Sequence, residues 1–371
     1  MTTKARELTA EVAIIGGGVG GCAAALAVAR NGGRVVLTEE TDWIGGQLTS
    51  QAVPPDEHPC IEQFGCTRAY REFRNGVRDF YRRNYPLTGE ATRTPYLNPG
   101  NGSVSRLCHE PRVALAVLQE RLQPYLSSGQ ITLLTHYRAV HAETVGDTVR
   151  SVTVQETRTG DQITLHAPYF LDATELGDLL PHTCTEFVTG AEAQSDTQEP
   201  HAPSIAQPDN QQAFTYCFAM DYLEGEDHTI EKPTEYDFWR NYVPQITPAW
   251  AGKLLSLTMS HPMTLKPRPI HFDPIREANG EVGGFWLYRR ILDKTNFSGS
   301  AFRSDICLVN WPQNDYLLGN LVGVSEAEQK HHLERGKQLS LSLLYWLQTE
   351  APRPDGSQGW KGLRLRPDIT D

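Results

Sequence analysis

Glu11-Val12-Ala13-Ile14-Ile15-Gly16-Gly17-Gly18-Val19-Gly20-Gly21 is the stretch that decides the fold, and it runs on through Cys22–Arg30 into Arg34-Val35-Val36-Leu37-Thr38-Glu39. Glu11 to Ile15 predicts a short apolar strand, the Ala- and Leu-rich Cys22 to Arg30 a helix, and Arg34 to Thr38 a second strand ending at Glu39. Together they spell a nucleotide-binding βαβ unit. Gly16, Gly18 and Gly21 have the GxGxxG spacing. Gly16 permits the tight turn out of the strand, Gly18 lets backbone N–H groups approach a pyrophosphate, and Gly21 lets the helix pack close on the sheet. The helix N-terminus adds roughly half a positive charge. Glu39, 18 residues beyond Gly21, is placed to accept hydrogen bonds from a ribose diol. A lone GxGxxG is weak because Gly-rich turns are common; here strand, helix and strand-terminal acid accompany it. The unit is read as an adenine-dinucleotide site, and Glu39 argues against a 2′-phosphorylated nucleotide, which it would repel.

Working outward, 371 residues are enough for two domains, or for one large domain with an insertion. A hydrophobic share of 39% and a mean hydropathy of −0.43 lead to the expectation of a soluble globular protein. No run approaches the roughly 20 apolar residues that span a bilayer. The start, Met1 to Glu7, leads almost directly into the first strand and leaves no room for a signal peptide, so a cytoplasmic protein is expected. A net charge of −11 makes nucleic acid an unsuitable partner. Seven cysteines, odd in number and without a CxxC pair, indicate neither a zinc site nor a disulfide framework.

Val53 to Cys66, rich in Pro and Cys, reads as loop. Thr67 to Asn84 predicts a helix, with Tyr70, Phe73, Val77, Phe80 and Tyr81 recurring at helical intervals. Its other face carries Arg71, Arg74, Arg78 and Arg82, either a stripe that steers an anionic substrate or a solvated face paired with nearby acids. Pro111 opens another helix that runs to about Ser128. Four strands follow, Ile131–Thr135, Ala139–Val145, Val149–Glu156 and Ile163–Leu171, with Gly146-Asp147 turning a hairpin between the middle pair. Thr189 to Gln212 is polar and reads as a flexible loop. Beyond it Phe214–Met220, Leu254–Met259, Pro269–Phe272, Phe285–Tyr288 and Ile306–Trp311 predict strands, and Ala327–Leu347 a long helix. No second GxGxxG occurs.

At this point the chain resembles the FAD-dependent oxidoreductases with a glutathione-reductase-type FAD domain. Three elements carry the resemblance: the Gly16–Gly21 fingerprint closed by Glu39, Gly45-Gly46-Gln47, and Phe170-Leu171-Asp172-Ala173-Thr174. FAD is longer than a βαβ unit alone can hold, so a small-residue segment must let the ribityl chain pass. A later strand must also return to the same sheet edge. The resemblance implies that Gly16, Gly18, Val19, Gly20 and Gly21 surround the pyrophosphate, and that Glu39, with Glu40 beside it, binds the adenosine ribose. It further implies that Gly45, Gly46 and Gln47 line the ribityl and flavin end, that Val140 lies against the adenine, and that Ala173 and Thr174 close the pocket with Asp178 nearby. Core strand residue, helix cap and surface acid are the plain alternatives for Val140, Thr174 and Asp178.

The expected fold class is α/β: a Rossmann-like FAD-binding domain (parallel sheet with β-meander) plus a second α+β substrate region. The expected domains are 1–182 for FAD, with a helical insertion at about 53–110, then a cap region over 183–310, and a helix and tail over 311–371 returning toward the first. Asn310 to Tyr316 and Leu363 to Pro367 are similar to members of an uncharacterised branch of the family. The resemblance also implies a C-terminal flavin-contacting segment that this chain is expected to lack, leaving a shortened member, a completing partner chain or homo-oligomer, or a more open flavin. The expected activity is hydride or electron transfer between a small organic substrate and FAD, without a metal. Two other readings stand beside it: a disulfide reductase using Cys60 and Cys66, and a non-catalytic or incomplete dinucleotide-binding protein. His109, Asn310 and Asp315 are weighed for contact with substrate or flavin, and none is named catalytic. Asp56, Glu57, His58 and Cys60 can be drawn as a metal cluster, against which a polar loop is the simpler reading.

Overall fold

The computed structural model of the chain describes residues 6–370. The start read as leader-free, Met1 to Ala5, and the last residue, Asp371, lie outside them. The first half is built from β1 (Arg6–Thr9), β2 (Val12–Ile15), α1 (Val19–Arg30), β3 (Val35–Glu39), α2 (Arg68–Asn84) and a helix over Pro111–Ser127. These are followed by β4 (Ile131–Thr135), β5 (Tyr137–Val145), β6 (Thr148–Glu156), β7 (Gln162–His166) and β8 (Tyr169–Asp172). Strands β4, β3, β2 and β8 form a parallel sheet in that order. All of β2 and β3 is buried, as strands covered on both faces require. Ala25, Leu26 and Ala29 of α1 pack on this sheet, next to Leu118 and Leu122 of the Pro111 helix and Val77 of α2. Each of the leucine and valine side chains fully removed from water contributes roughly 1.5–3 kcal/mol, and the alanines less.

β5, β6 and β7 make an antiparallel meander, and β1 adds to β7 in parallel. The mixed α/β architecture, with its parallel nucleotide-type sheet and its meander, is the one expected from the sequence. The hairpin at Gly146-Asp147 is present, with Gly146 at φ +57°. One expected strand is two. Ile163–Leu171 breaks at Ala167-Pro168, because proline has no N–H to continue the ladder; β7 ends the meander and β8 enters the parallel sheet beside β2.

The second half is organised on an antiparallel sheet of Arg290–Leu292, Ile306–Val309, Phe218–Tyr222 and Leu363–Leu365, in that order. One face buries an aromatic cluster that includes Trp239, Trp286, Trp311 and Trp360. The long helix (Glu326–Thr349) closes this cluster with Leu339, Leu343, Leu344 and Leu347, and its start is fixed by a capping box between Ser325 and Glu328. Several expected strands here are corrected. Phe285–Tyr288 is a single helical turn, since four consecutive apolar residues carry no period that separates strand from helix. Leu254 and Leu255 are buried in loop and only Thr258–Ser260 pairs, with Pro267–Pro269 rather than Pro269–Phe272. Phe214–Met220 divides into Phe214–Thr215 and Phe218–Tyr222, and Ile306–Trp311 stops at Val309 ahead of Pro312. Leu363–Leu365, unassigned by sequence, is a strand held at Asp221 by Arg364 and Arg366 at 2.6 and 2.8 Å. Among the described residues no helix is long and apolar enough to cross a membrane.

Candidate functional site

The turn after β2 is built as the glycine spacing requires. Gly16 sits at φ +99°, and a Cβ there would lie 2.3 Å from the Ala173 carbonyl oxygen, so β8 returns flush against the turn. A Cβ on Gly21 would lie 2.0 Å from the Gly16 carbonyl oxygen, which is the close helix–strand contact that only glycine allows. Gly18 and Gly20 differ: Gly18 has only Glu175 Oε1 at 3.4 Å and Ala173 O at 4.0 Å, and Gly20 faces open space. Two glycines therefore close the fold, and two leave the tip of α1 bare. With Gly18 as N-cap, no side chain caps that tip, and the first-turn N–H groups point outward.

Glu39, 8% exposed, ends β3 beside this tip. Its Oε2 accepts the Gly17 N–H at 3.1 Å, and its Oε1 accepts the Thr41 N–H and hydroxyl at 2.9 and 2.7 Å. A carboxylate has about four acceptor positions, so one remains on Oε2. Cys22 lies underneath, its thiol donating to the Gly17 carbonyl at 3.2 Å and pushed up to about 12 by burial and by the charge of Glu39. Glu40 and Asp178 join the same acidic corner. Desolvation first, then Asp178 and Glu39, raises the Glu40 carboxyl; desolvation and Asp172 raise that of Asp178. Val140 falls at a register break between Ala139 and His141, which takes its backbone out of the regular β5–β6 ladder.

The Gly45-Gly46 segment is pinned to the fingerprint by the Gly45 N–H, which donates to the Gly17 carbonyl at 2.8 Å. Both glycines have positive φ, +107° and +49°. A Cβ on Gly46 would come within 3.3 Å of Gly18 Cα and 2.7 Å of Glu175 Oε1. Gly18 and Gly46 thus face each other across a narrow gap, and the Glu175 carboxylate lies in it. Sequence reasoning missed Glu175, although it directly follows Ala173-Thr174; only the return of β8 brings it there. Thr174 shapes the loop, donating its N–H and hydroxyl to Asp172 and accepting the Asp178 N–H at 2.8 Å.

From this gap opens a cleft of about 340 Å³, lined by Val19 of α1, Gln47 and Leu48 after the glycines, and Glu175. Pro55, Asp56 and Tyr70 complete it. The structure therefore brings the fingerprint, the Gly-Gly segment and the β8 return to one place, while Glu39, Glu40 and Asp178 form the acidic corner beside the α1 tip and Val140 sits in β5 of the meander.

The arginine stripe on α2 is paired with nearby acids, as one of its two readings expects, but Arg74 and Arg78 are buried rather than solvated, while Arg71 and Arg82 stay partly exposed. Arg74 is fully buried, forked onto Glu57 at 2.7 and 3.0 Å and onto Glu62 at 2.9 Å twice; Arg78 is 2% exposed and bonded to Glu62 and the Leu97 carbonyl. These pairs tie the 53–66 loop to α2, so neither arginine is free to steer a substrate. Burial works against the Glu62 charge, but hydrogen bonds from Arg74 and Arg78 override it and bring its carboxyl down to about 2. Glu57 also accepts from Tyr70 and Ser105, which commits it to this network rather than to a metal. Among the described residues no cluster of His, Cys, Asp and Glu is arranged to hold a metal ion. Cys60 is exposed and Cys66 half-buried, both as free thiols. His109 is 2% exposed with Nε2 unpartnered, and burial lowers its basicity. Asp315 accepts the Thr215 hydroxyl at 2.5 Å, and the Asn310 carbonyl accepts from Arg289 Nε at 3.3 Å.

Among solved structures, the chain is similar to the L-proline dehydrogenase of P. horikoshii at 16% identity, over 57% of this chain and 38% of that one, with a TM-score of 0.26. It is similar to the flavin-dependent monooxygenase PieE, solved with FAD and substrate, at 17% identity over 59% and 35%, TM-score 0.30. A third is the bacillithiol disulfide reductase Bdr of Bacillus cereus, at 17% identity over 46% and 41%, TM-score 0.26. The chain thus spans well under half the length of each of these. No curated protein matches. The family model described as FAD dependent oxidoreductase matches residues 11–370. By that match, over nearly its whole length, the chain belongs to the FAD-dependent oxidoreductase family, with FAD as its cofactor.

Proposed function

We propose that this protein is a cytoplasmic FAD-dependent oxidoreductase that oxidises or reduces a small organic molecule held in the cleft beside Gln47 and Tyr70. One observation carries the reading: three segments distant in sequence meet at a bare helix tip. There Gly18 and Gly20 leave room for a ligand's close approach and Gly46 faces Gly18 across the gap, whereas Gly16 and Gly21 are required by the fold itself. The backbone N–H groups at Gly18–Gly21, including that of Val19, hold the diphosphate, with Gly16 setting the turn. Glu39 takes a ribose hydroxyl on the free position of Oε2, Glu40 and Asp178 border that corner, and the bulged Val140 backbone meets the adenine edge. Gly45, Gly46 and Gln47 flank the ribityl chain, and Ala173 and Thr174 close the pocket from the β8 side. FAD supplies the electron and hydride chemistry; the protein binds, orients and shields. For a diphosphate to enter, the Glu175 carboxylate must swing out, and its exposed position allows this. The test is the flavin content and absorbance of purified protein, followed by anaerobic addition of candidate substrates. A yellow protein that bleaches supports the proposal. A colourless protein that cannot be reconstituted with FAD refutes it.

A further inference from the structure

Two adjacent arginines, Arg289 and Arg290, lead into the strand that begins the second sheet, and they are treated oppositely. Arg290 is partnered at all three nitrogens: Nε donates to the Gly100 carbonyl at 2.7 Å, Nη1 to Asp305 at 2.7 Å and Nη2 to Asp293 at 2.9 Å. Arg289 is nearly as buried, 8% exposed, yet only its Nε donates, to the Asn310 carbonyl at 3.3 Å. Nη1 is buried without a hydrogen bond, and Nη2 donates to no described residue. The guanidinium is held in place by packing over the Tyr288 ring, 5.0 Å from its centroid, and by its own backbone carbonyl, which accepts the Leu308 N–H at 3.0 Å. A buried guanidinium nitrogen that makes no hydrogen bond is costly unless something meets it.

Arg289 does not itself line the cleft; it stands directly behind a residue that does. Its nearest acid is Asp56, which lines the cleft, at 3.5 Å from Nη1 and without hydrogen-bond geometry; the Asp56 side chain is 61% exposed, so it is a loosely held counter-ion. Its charge also bears on Cys108, ahead of the Pro111 helix, and on Cys217 and Asp315 of the second half.

We propose that Arg289 anchors a carboxylate group of the substrate, so that the cleft takes small organic acids. This deepens the reading of the cleft as the substrate side of a flavin site and rests on it. The planar fork of a guanidinium matches a carboxylate with two parallel N–H donors, and the rigid seat of Arg289 means that little ordering is needed on binding. Asp56 gives way when the acid enters, as an exposed side chain on a loop can. In a chain of net charge −11, a buried cation whose nearest acid is a loosely held, exposed side chain of the cleft wall is a selective mark for an anion.

The test is isothermal titration of FAD-loaded protein with sodium acetate and sodium benzoate, each against its neutral amide. At least one acid binds about tenfold or more tightly than its amide, the loss expected from one charge-assisted hydrogen bond. Arg289→Gln abolishes that advantage and leaves amide binding unchanged, and Arg289→Lys keeps part of it. Asp56→Asn removes the competing counter-ion at an exposed position, and it tightens acid binding severalfold. Acids that bind no better than amides, an advantage that survives Arg289→Gln, or an Asp56→Asn protein with unaltered acid affinity overturns the proposal. Flavin absorbance recorded on the same samples separates the two levels. Failure to take up FAD refutes the cofactor reading, whereas a flavin-loaded protein indifferent to acids refutes only the anchor.

Discussion

Replacing Gly18 with valine separates cofactor binding from folding. Gly18 has φ −58° and ψ −176°, a conformation open to any L-residue, and the nearest atom to its absent Cβ is Glu175 Oε1 at 3.4 Å, the end of an exposed side chain. The fold should therefore accept the substitution at a cost of about 1 kcal/mol, the difference between glycine and an aliphatic residue at a helix N-cap. The valine methyls, however, stand where a diphosphate must approach the α1 tip. Losing even two charge-assisted hydrogen bonds, at about 1.5 kcal/mol each, weakens FAD binding about a hundredfold. Gly16→Ala is the contrast, since φ +99° and a Cβ 2.3 Å from the Ala173 carbonyl oxygen demand a backbone shift, so that variant unfolds or melts far earlier. Fluorescence titration of apoprotein with FAD, together with thermal unfolding of the same apoprotein, reads both quantities. Wild-type FAD affinity in Gly18→Val would refute the reasoning, because the diphosphate then binds elsewhere.

Other outcomes follow from the same geometry. Glu175→Gln removes a negative charge from the gap between Gly18 and Gly46; with like charges about 4 Å apart costing about 1 kcal/mol in water, FAD affinity should rise about fivefold, and an unchanged Kd would show that the carboxylate is no obstacle. Arg74→Ala strands Glu57 and Glu62 beneath the cleft, and removing one partner of such a buried pair costs roughly 3–5 kcal/mol; a melting temperature within a degree or two of wild type would contradict this. Glu62, held at about 2 against an ordinary 4.5, adds stability that is complete above pH 4.5 and lost as pH falls toward 2, roughly 3 kcal/mol in all. Denaturant titrations across that window should show a loss smaller by about that amount in Glu62→Gln than in wild type, because other lowered carboxylates, Glu156 among them, titrate in both. Of the thiols, exposed Cys60 and Cys184 should react quickly with a chromogenic disulfide, while Cys22 and Cys108, both raised to about 12 by burial, react only on unfolding.

The parts of the molecule legible in sequence are those fixed by local rules. The βαβ unit, α2 with its Thr67 cap and the Pro111 helix are written in glycine spacing, apolar periodicity and capping residues, and they stand where those signals put them. The Pro168 break is local as well, parting the alternating Gln162–His166 stretch from Tyr169–Asp172. What stayed hidden depends on pairing over long distances. Arg74 and Arg78 look like a wet stripe until the 53–66 loop folds over them with two glutamates. Glu175 enters the glycine gap only because β8 returns beside β2, and Arg289 differs from Arg290 only through what each can reach. In the aromatic second half, loop and strand share one composition. Leu254, Leu255 and Phe272 are buried although they lie in loop, so apolar runs there do not mark strands.

The structure of the protein crystallised with FAD tests the central claim most directly. The account requires the diphosphate against the backbone of Gly18–Gly21, a ribose hydroxyl on Glu39 and the Glu175 carboxylate swung clear of Gly46. A diphosphate bound away from the α1 tip, with Glu175 still between the two glycines, would contradict it.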